Sequence, residues 1–464
     1  MQLPENLIKS LEGIQGFDRQ TFEKVHSSGE QITSIRINPS KLLESSQVPS
    51  TGGDLGEAVP WSQYGYYLDQ RPSFTFDPLF HAGCYYVQEA SSMFLEQALQ
   101  QTVDLSQPLK LLDLCGAPGG KSTHIQSLIS KESLLITNEV IKNRVPVLVQ
   151  NITKWGCENV IVTYNDPKHF SMLEGYFDVI VVDAPCSGSG LFRKDAEAVE
   201  EWSLNNVALC SQRQQRILAD VMPSLKKDGV LIYSTCSYSK EEDEEIGDWL
   251  VEEFKMKNEK LKINATWGIV ETLFTKKSAA GYRFFPDKLK GEGFFLACFR
   301  KREESSSLKI KTKRAGQVSK QEQGVIDKWI SEKGYSFFYN HHSIYALPEN
   351  LFDDYSFLQQ HLNVYHAGIA IGQVLRDKLI PQHGLALSKL LSLKIPFLEL
   401  SFEQAIKFLQ KSDLHIIPNK QGWQVVTYKN YTLGWINSLS NRINNYYPKE
   451  LRILKRHNDS IFGK

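Results

Sequence analysis

The 464-residue chain contains no stretch of about 18 consecutive apolar residues, so it offers no segment that would cross a bilayer as a helix. Its first residues, MQLPENLIKSLEG, lack the basic stretch and apolar run of a secretory signal, so the cytoplasm is the expected compartment and no membrane partner is expected. The seven cysteines (84, 115, 157, 186, 210, 236 and 298) form no CxxC pair and have no histidine at ligand spacing. Neither a disulfide framework nor a metal is therefore expected, and any special cysteine should be a chemical one. A charge bias is missing as well: Lys+Arg and Asp+Glu both number 53, so attraction to a polyanion must come from local segregation. Basic residues gather at 300–314 (RKREESSSLKIKTKR) and at Arg442, Lys449, Arg452, Lys455 and Arg456, while acids cluster at Glu241–Glu245.

What is present is apolar material for several cores, 41% hydrophobic with 11% aromatic residues. From 109 to 237 the runs LKLLDLC, SLLITNEV, NVIVTYND, FDVIVVDAP and GVLIYSTCS alternate with helical patterns over about 119–131, 141–155 and 206–226. The last helix is predicted to stop at Lys226–Gly229. Such alternation predicts βαβ units, and strands apolar on both faces predict a doubly wound parallel sheet with ligands along its carboxyl ends. A further strand is predicted within 291–301, its Phe294, Phe295 and Phe299 serving as core. Upstream, a helix over 4–13 and a strand over 34–41 suggest a small α+β module.

The domains expected are an N-terminal α+β module (1–85), a doubly wound α/β domain (86–301), a basic linker (302–320), a small connecting domain (321–385) and a β-rich C-terminal module (386–464).

In LLDLCGAPGGKST, Gly116, Gly119 and Gly120 stand between a strand and a helix, where backbone approaches a ligand closely and helix N–H groups face it. The dinucleotide spelling GxGxxG fails at Ala117 and Pro118. The phosphate-loop spelling fails only at Cys115, which stands where its first glycine belongs, and this leaves an RNA-remodelling ATPase as the alternative. Asp113 at the strand end would oppose a triphosphate but suits a cationic ligand; otherwise it fixes the loop. Glu139 ends the second strand, where a carboxylate accepts both hydroxyls of a ribose, and Asp166 ends the third, in reach of an adenine amino group or as turn chemistry.

Two later strand ends carry cysteines. VVDAPCSGSG sets Asp183 and Cys186 on a glycine-bearing loop, and YSTCS sets Cys236 at the equivalent place. Methylation of cytosine carbon 5 demands such a set, because that carbon becomes nucleophilic only after a thiolate adds at carbon 6 while an acid supports N3. Either sulfur suits this equally on the residues alone. The acids at 241–245 follow Ser239 and are expected to be a solvated, capped helix start.

At these residues the chain resembles the Sun/RsmF family of RNA cytosine-5 methyltransferases, whose motifs read DxxAAPGGKT, DAPCSGxG and YSTCS followed by ENE. They stand here as Asp113–Ser122, Asp183–Gly190 and Tyr233–Ser237, and the likeness spans roughly residues 30 to 301. It implies a Rossmann-like S-adenosylmethionine (SAM)-dependent methyltransferase core. SAM would be held by Cys115, Gly116, Ala117, Pro118, Gly119, Gly120, Lys121, Glu139, Arg144, Asp166 and Asp183. Cys236 would attack carbon 6, Cys186 would help release the product, and Asp183 would also face the base. SIRINPSK and YYVQEASSM resemble the family's N-terminal module and the helix entering its catalytic domain, adding Arg36, Asn38 and Gln88 as RNA-binding candidates. The tail around NYTLGWINSLSNRINNYYPKELR resembles an RsmF-type extension with a PUA-like module. This implies 16S rRNA, in the small subunit or an assembly intermediate, as the partner of a monomer. Arg442, Lys449 and Arg452 would contact phosphates, with Trp435 and Tyr447 as core. The departures are Gly116 for an alanine, Glu242-Asp243-Glu244 for Glu-Asn-Glu, and Asp287 for a histidine. A non-catalytic assembly factor is the remaining alternative, opposed by the intact Asp183, Cys186 and Cys236.

Overall fold

The computed structural model describes residues 3–42, 55–274, 279–303, 316–416 and 420–455. Its centre is a ten-stranded mixed sheet. Five parallel strands form the middle: β1 (Lys110–Asp113), β2 (Leu134–Asn138), β3 (Val160–Thr163), β4 (Phe177–Asp183) and β5 (Leu225–Thr235). Strands β6 (Val270–Leu273), β7 (Ala280–Phe284), β8 (Phe294–Arg300) and β9 (Val364–Ala367) are antiparallel additions, giving the order β6-β7-β8-β5-β4-β1-β2-β3-β9, and the tenth strand, Lys257–Glu259, pairs with β8 outside this path. The winding reverses between β1 and β4, the place where open α/β sheets bind ligands.

Helices α1 (Gly120–Leu128), α2 (Val145–Trp155), α3 (Leu204–Val221) and α4 (Glu244–Glu253) cover the sheet. β1 to β5 are almost continuously apolar because both faces are packed: Leu112, Ile136, Ile180 and Leu231 enter one core layer, and Leu111, Leu135, Val179 and Val230 the other. Phe294, Phe295 and Phe299 are buried, as expected. One helix end differs from expectation. α3 stops at Val221, ahead of Pro223, and Leu225 already opens β5, so 226–229 is strand with Asp228 at φ 59° rather than a helix stop.

The flanking parts are interlocked with this core. The N-terminal region forms a four-stranded sheet from Thr33–Ile37, Leu55–Ala58, Gly65–Leu68 and Tyr85–Val87. Its Ile35, Ile37 and Tyr85 share one hydrophobic cluster with Phe408, Leu433 and Tyr447 of the C-terminal module. That module has its own sheet, from Phe397–Glu399, Gly422–Tyr428, Tyr431–Ser438 and Ile443–Asn445, with Trp435 and Tyr447 buried. The stretch 321–385 is not packed as a body apart: β9 extends the catalytic sheet, and Phe338, Tyr355 and Leu358 join its core cluster. A division at 385/386 falls inside the helix His383–Leu387. The basic segment 304–315 and Arg456 lie outside the described residues. Among the described residues no helix is long and apolar enough to cross a membrane.

Candidate active site

The carboxyl ends of β1, β2, β4 and β5 stand side by side in the order β5-β4-β1-β2, and the cleft expected at such strand ends lies between their loops. The loop after β1 carries Cys115 to Gly119, and Gly119, at φ 115°, is the N-cap of α1, a backbone conformation that L side chains rarely adopt. A Cβ on Gly116 would sit 2.0 Å from Thr137 Oγ1, so the alanine of the family motif gives way here to a tighter turn against β2. Arg144 secures the loop from outside, donating to Ala117 O at 2.6 Å and lying 3.3 Å from the Glu139 carboxylate. Asn151 adds a bond to Pro118 O at 2.7 Å.

Asp113, wholly buried, accepts from Ser122 Oγ at 2.6 Å through Oδ2, while its Oδ1 has no hydrogen-bond partner among the described residues. Burial pushes its carboxyl up to about 7, against the Ser122 hydrogen bond and with the Asp183 charge adding to the rise. An orphaned carboxylate oxygen at the loop fits a cationic ligand. Glu139 is nearly buried at the end of β2 and accepts from Ile141 N at 2.8 Å. Val140 and Ile141 beside it remain about half exposed (48% and 47%), an apolar shelf of the kind a flat adenine covers. Asp166 caps the turn after β3, accepting from Lys168 N at 3.1 Å, which accounts for one of its oxygens. The donor set therefore fits SAM: acids for its cationic end, Glu139 for the ribose, and an apolar shelf for the base.

Lys121 Nζ lies 2.8 Å from Asp183 Oδ2, and Asp183 Oδ1 accepts from Ser234 Oγ at 2.9 Å. Burial alone would lower the Lys121 ammonium; the Asp183 carboxylate outweighs it and holds Lys121 above its ordinary value, with Asp113 and Cys236 contributing. A lysine so engaged between carboxylates is not presented to a triphosphate, and the phosphate-loop reading loses its central residue.

Opposite, Cys186 Sγ and Cys236 Sγ stand 3.0 Å apart. The approach depends on Gly190, where a Cβ would sit 2.4 Å from Gly293 O and 2.7 Å from Cys236 O. The contact with Cys236 raises the Cys186 thiol well above its usual value, and burial and the charge of Glu242 push the same way.

The acidic run contradicts its expected role as a solvated helix start. Ser239 makes no side-chain cap bond, and Glu242, Asp243 and Glu244 are buried. Glu244 receives a two-pronged contact from Arg283, Nε at 2.6 Å and Nη2 at 2.5 Å. Asp243 accepts from Thr235 Oγ1 at 2.6 Å and lies 3.2 Å from Arg283, off the line of its N–H groups. Glu242 faces the cysteine loops. Sequence reasoning passed over Glu242, Gln214 and Arg283; the available signal was the position of the acids directly after YSTCS.

Three expected RNA contacts are also corrected. Arg36 is 1% exposed, donating to Thr123 Oγ1 at 2.6 Å and to Gln88 Oε1 at 2.8 Å, with its guanidinium 4.4 Å from the Trp155 ring. Asn38 bonds Gly83 O and Trp155 O, and Gln88 is buried beside Ser92. These side chains lock the N-terminal module onto α1 and α2 and present nothing to a ligand. Arg442, Lys449 and Arg452 are exposed on the C-terminal module, far along the chain from the cleft residues.

The chain matches three family descriptions in series: "N-terminal domain of 16S rRNA methyltransferase RsmF" over residues 3–90, "16S rRNA methyltransferase RsmB/F" over 100–300, and "Methyltransferase RsmF PUA domain" over 396–453. It is 31% identical over 448 residues to ribosomal RNA small subunit methyltransferase F of Psychromonas ingrahamii, covering 90% of each chain. The chain belongs to the RsmF family of 16S rRNA methyltransferases. A relative of the same name from Aeromonas salmonicida is 28% identical, with 97% of each chain covered. Among solved structures, a methyltransferase homolog from Pyrococcus horikoshii is 26% identical with a TM-score of 0.53, over 64% of this chain and all of that one. NSun6 from the same organism, solved with the SAM analogue SFG, is 20% identical with a TM-score of 0.54, over 65% of this chain and 99% of that one, and shares the fold. This RsmF-family chain is thus a SAM-dependent rRNA methyltransferase with a Rossmann-like core and a C-terminal PUA domain.

Proposed function

We propose that the chain methylates carbon 5 of a cytosine in 16S rRNA through a covalent bond between Cys236 and carbon 6, with Cys186 assisting release. The observation that carries this is the pair of sulfurs 3.0 Å apart at the ends of β4 and β5, beside the Lys121–Asp183 ion pair. Neither methylation at an exposed nitrogen nor transfer to a ribose hydroxyl has use for two such thiols.

SAM supplies the methyl group that carbon 5 receives. The Cys236 sulfur adds to carbon 6, forming the C–S bond that makes carbon 5 nucleophilic, and Asp183, held by Lys121 and Ser234, faces the ring. After transfer the carbon-5 proton passes to water, the electron pair of the C–S bond returns to Cys236, and the Cys186 thiol, 3.0 Å from the departing sulfur, donates a hydrogen bond to it. The ranking of the two thiols follows the family motifs and has electrostatic support. Glu242 interacts with Cys186 and favours its thiol, which leaves Cys236 as the sulfur for the attack. The cytosine must leave its stack to enter the cleft, so unpaired or distorted RNA is the preferred form, free or in an assembling small subunit. The exposed Arg442, Lys449 and Arg452 contact phosphates.

A 16S rRNA fragment carrying 5-fluorocytosine should give a denaturation-resistant adduct with the wild-type protein and none with Cys236→Ala, while Cys186→Ala should accumulate adduct on ordinary RNA. Carbon-5 methylation by Cys236→Ala at the wild-type rate, read by bisulfite sequencing, would refute the mechanism.

A further inference from the structure

The buried acid Glu242 touches both cysteine loops and, among the described residues, no cation. Its Oε1 accepts from Ser187 N at 2.8 Å and Gln214 Nε2 at 3.1 Å, and its Oε2 accepts from Ser187 Oγ at 2.5 Å and Ser237 Oγ at 2.6 Å. Ser187 follows Cys186 and Ser237 follows Cys236, so one carboxylate ties together the two residues next in line to the reactive sulfurs. Ser237 Oγ in turn accepts from Ser239 N, and Tyr233 Oη donates to Glu242 O at 2.6 Å, anchoring the acid from β5. All four side-chain contacts can be made by donors to an ionised carboxylate, so the group is satisfied without a counterion. Burial nevertheless pushes its carboxyl up, against the hydrogen bonds from Ser187, Ser237 and Gln214.

We propose that Glu242 is a positioning residue for both thiols: by binding Ser187 and Ser237 it sets the separation of the sulfurs and places a carboxylate beside the pair. This rests on the cysteine chemistry proposed above. The other groups facing the pair are consistent with this assignment. Lys121 acts on Cys236 from the SAM loop, Cys210 of α3 is a buried thiol, and Tyr233 has its proton committed to Glu242 O. Two close thiols lose their protons as a pair, and an anion beside one member decides which sulfur holds the remaining proton. The neighbouring Asp243 and Glu244 do not share the role, because they face Arg283.

Glu242→Gln keeps the shape and removes the charge; Glu242→Ala removes both. With full-length protein and no RNA, iodoacetamide alkylation of Cys186, followed by mass spectrometry across pH, is expected to shift to lower pH by about one pH unit in Glu242→Gln. With 16S fragment RNA, the same variant is expected to lose ~100-fold in kcat at unchanged KM for SAM and to accumulate adduct, as Cys186→Ala does. A purely structural role would lower the melting temperature and leave the Cys186 alkylation profile unmoved. Ser187→Ala and Ser237→Ala, each deleting one hydroxyl, should give smaller losses and decide the matter if Glu242→Ala fails to fold. A folded Glu242→Gln with wild-type kcat and an unmoved alkylation profile would overturn the proposal. Absence of any wild-type adduct on 5-fluorocytosine RNA would instead overturn the cysteine mechanism, and the alkylation profile would still judge Glu242.

Discussion

On the SAM-loop wall of the cleft Asp113 is buried yet keeps one carboxylate oxygen without a hydrogen-bond partner, whereas on the cysteine wall both oxygens of Glu242 are saturated by donors from three segments. Both acids are raised by burial, to about 7 for Asp113. The difference lies in what completes them. Asp113 leaves one oxygen open towards the loop, where a ligand would complete it, whereas Glu242 is completed by the protein itself. Sequence position hides this contrast, since Asp113 reads as a strand-end acid and Glu242 as part of a helix start, and neither place tells what packs against the carboxyl.

The comparison breaks first if the cysteine wall is not the reacting one. Cys236→Ala is expected to lower methyl transfer by at least ~10³-fold with SAM affinity unchanged, measured by tritium transfer and by calorimetry. Weakened SAM binding in that variant would mean that the two walls are not separable.

Next in size is the scaffold behind the cysteine wall. Arg283→Ala leaves Asp243 and Glu244 buried without their cation and should cost about 3–5 kcal/mol in denaturant unfolding, whereas Arg283→Lys should recover only part, lacking the second prong to Glu244. A loss below ~1 kcal/mol would show that the acids are solvated after all.

The SAM wall is sharpened by pH. As pH rises through about 7, Asp113 acquires its charge and SAM affinity should increase, about tenfold across the transition; Asp113→Asn should bind weakly with a flat profile. Stability without SAM runs the opposite way. A carboxyl raised from 3.8 to about 7 contributes stability that is complete below 3.8 and lost as pH climbs through 7, and Asp113→Asn should remove that decline from melting curves.

Smallest is the effect of the C-terminal module, which serves as a control on both walls. Arg442→Ala, Lys449→Ala and Arg452→Ala should each weaken rRNA binding by ~1 kcal/mol or less and flatten its salt dependence, leaving kcat at saturating RNA unchanged. A fall in kcat would tie that module to the chemistry.

The site motifs were legible because each is local: a strand, a glycine-bearing turn and a polar residue within ten positions of one another. Asp113, Glu139, Asp183, Cys186 and Cys236 need only a parallel sheet to converge, and alternating apolar runs predict that sheet. The acidic run was misread because its counterion, Arg283, is about forty residues downstream on β7, so the local pattern of a solvated helix start was the stronger signal. Arg36 was misread for the same reason: the partners that bury it, Thr123 and Trp155, belong to α1 and α2. That β9 would pair with β3 was hidden in a segment whose own pattern suggests a separate small domain.

Periodicity, turn chemistry and residue type over short spans already give the five alternating parallel strands, the glycine loop and two thiols with an acid. Only the tertiary structure decided which acids are buried, that the two sulfurs meet at 3.0 Å, and that Glu242 rather than a cation bridges their loops. Burial and electrostatics are set by whatever packs against a residue, and in this protein those neighbours come from tens to hundreds of positions away.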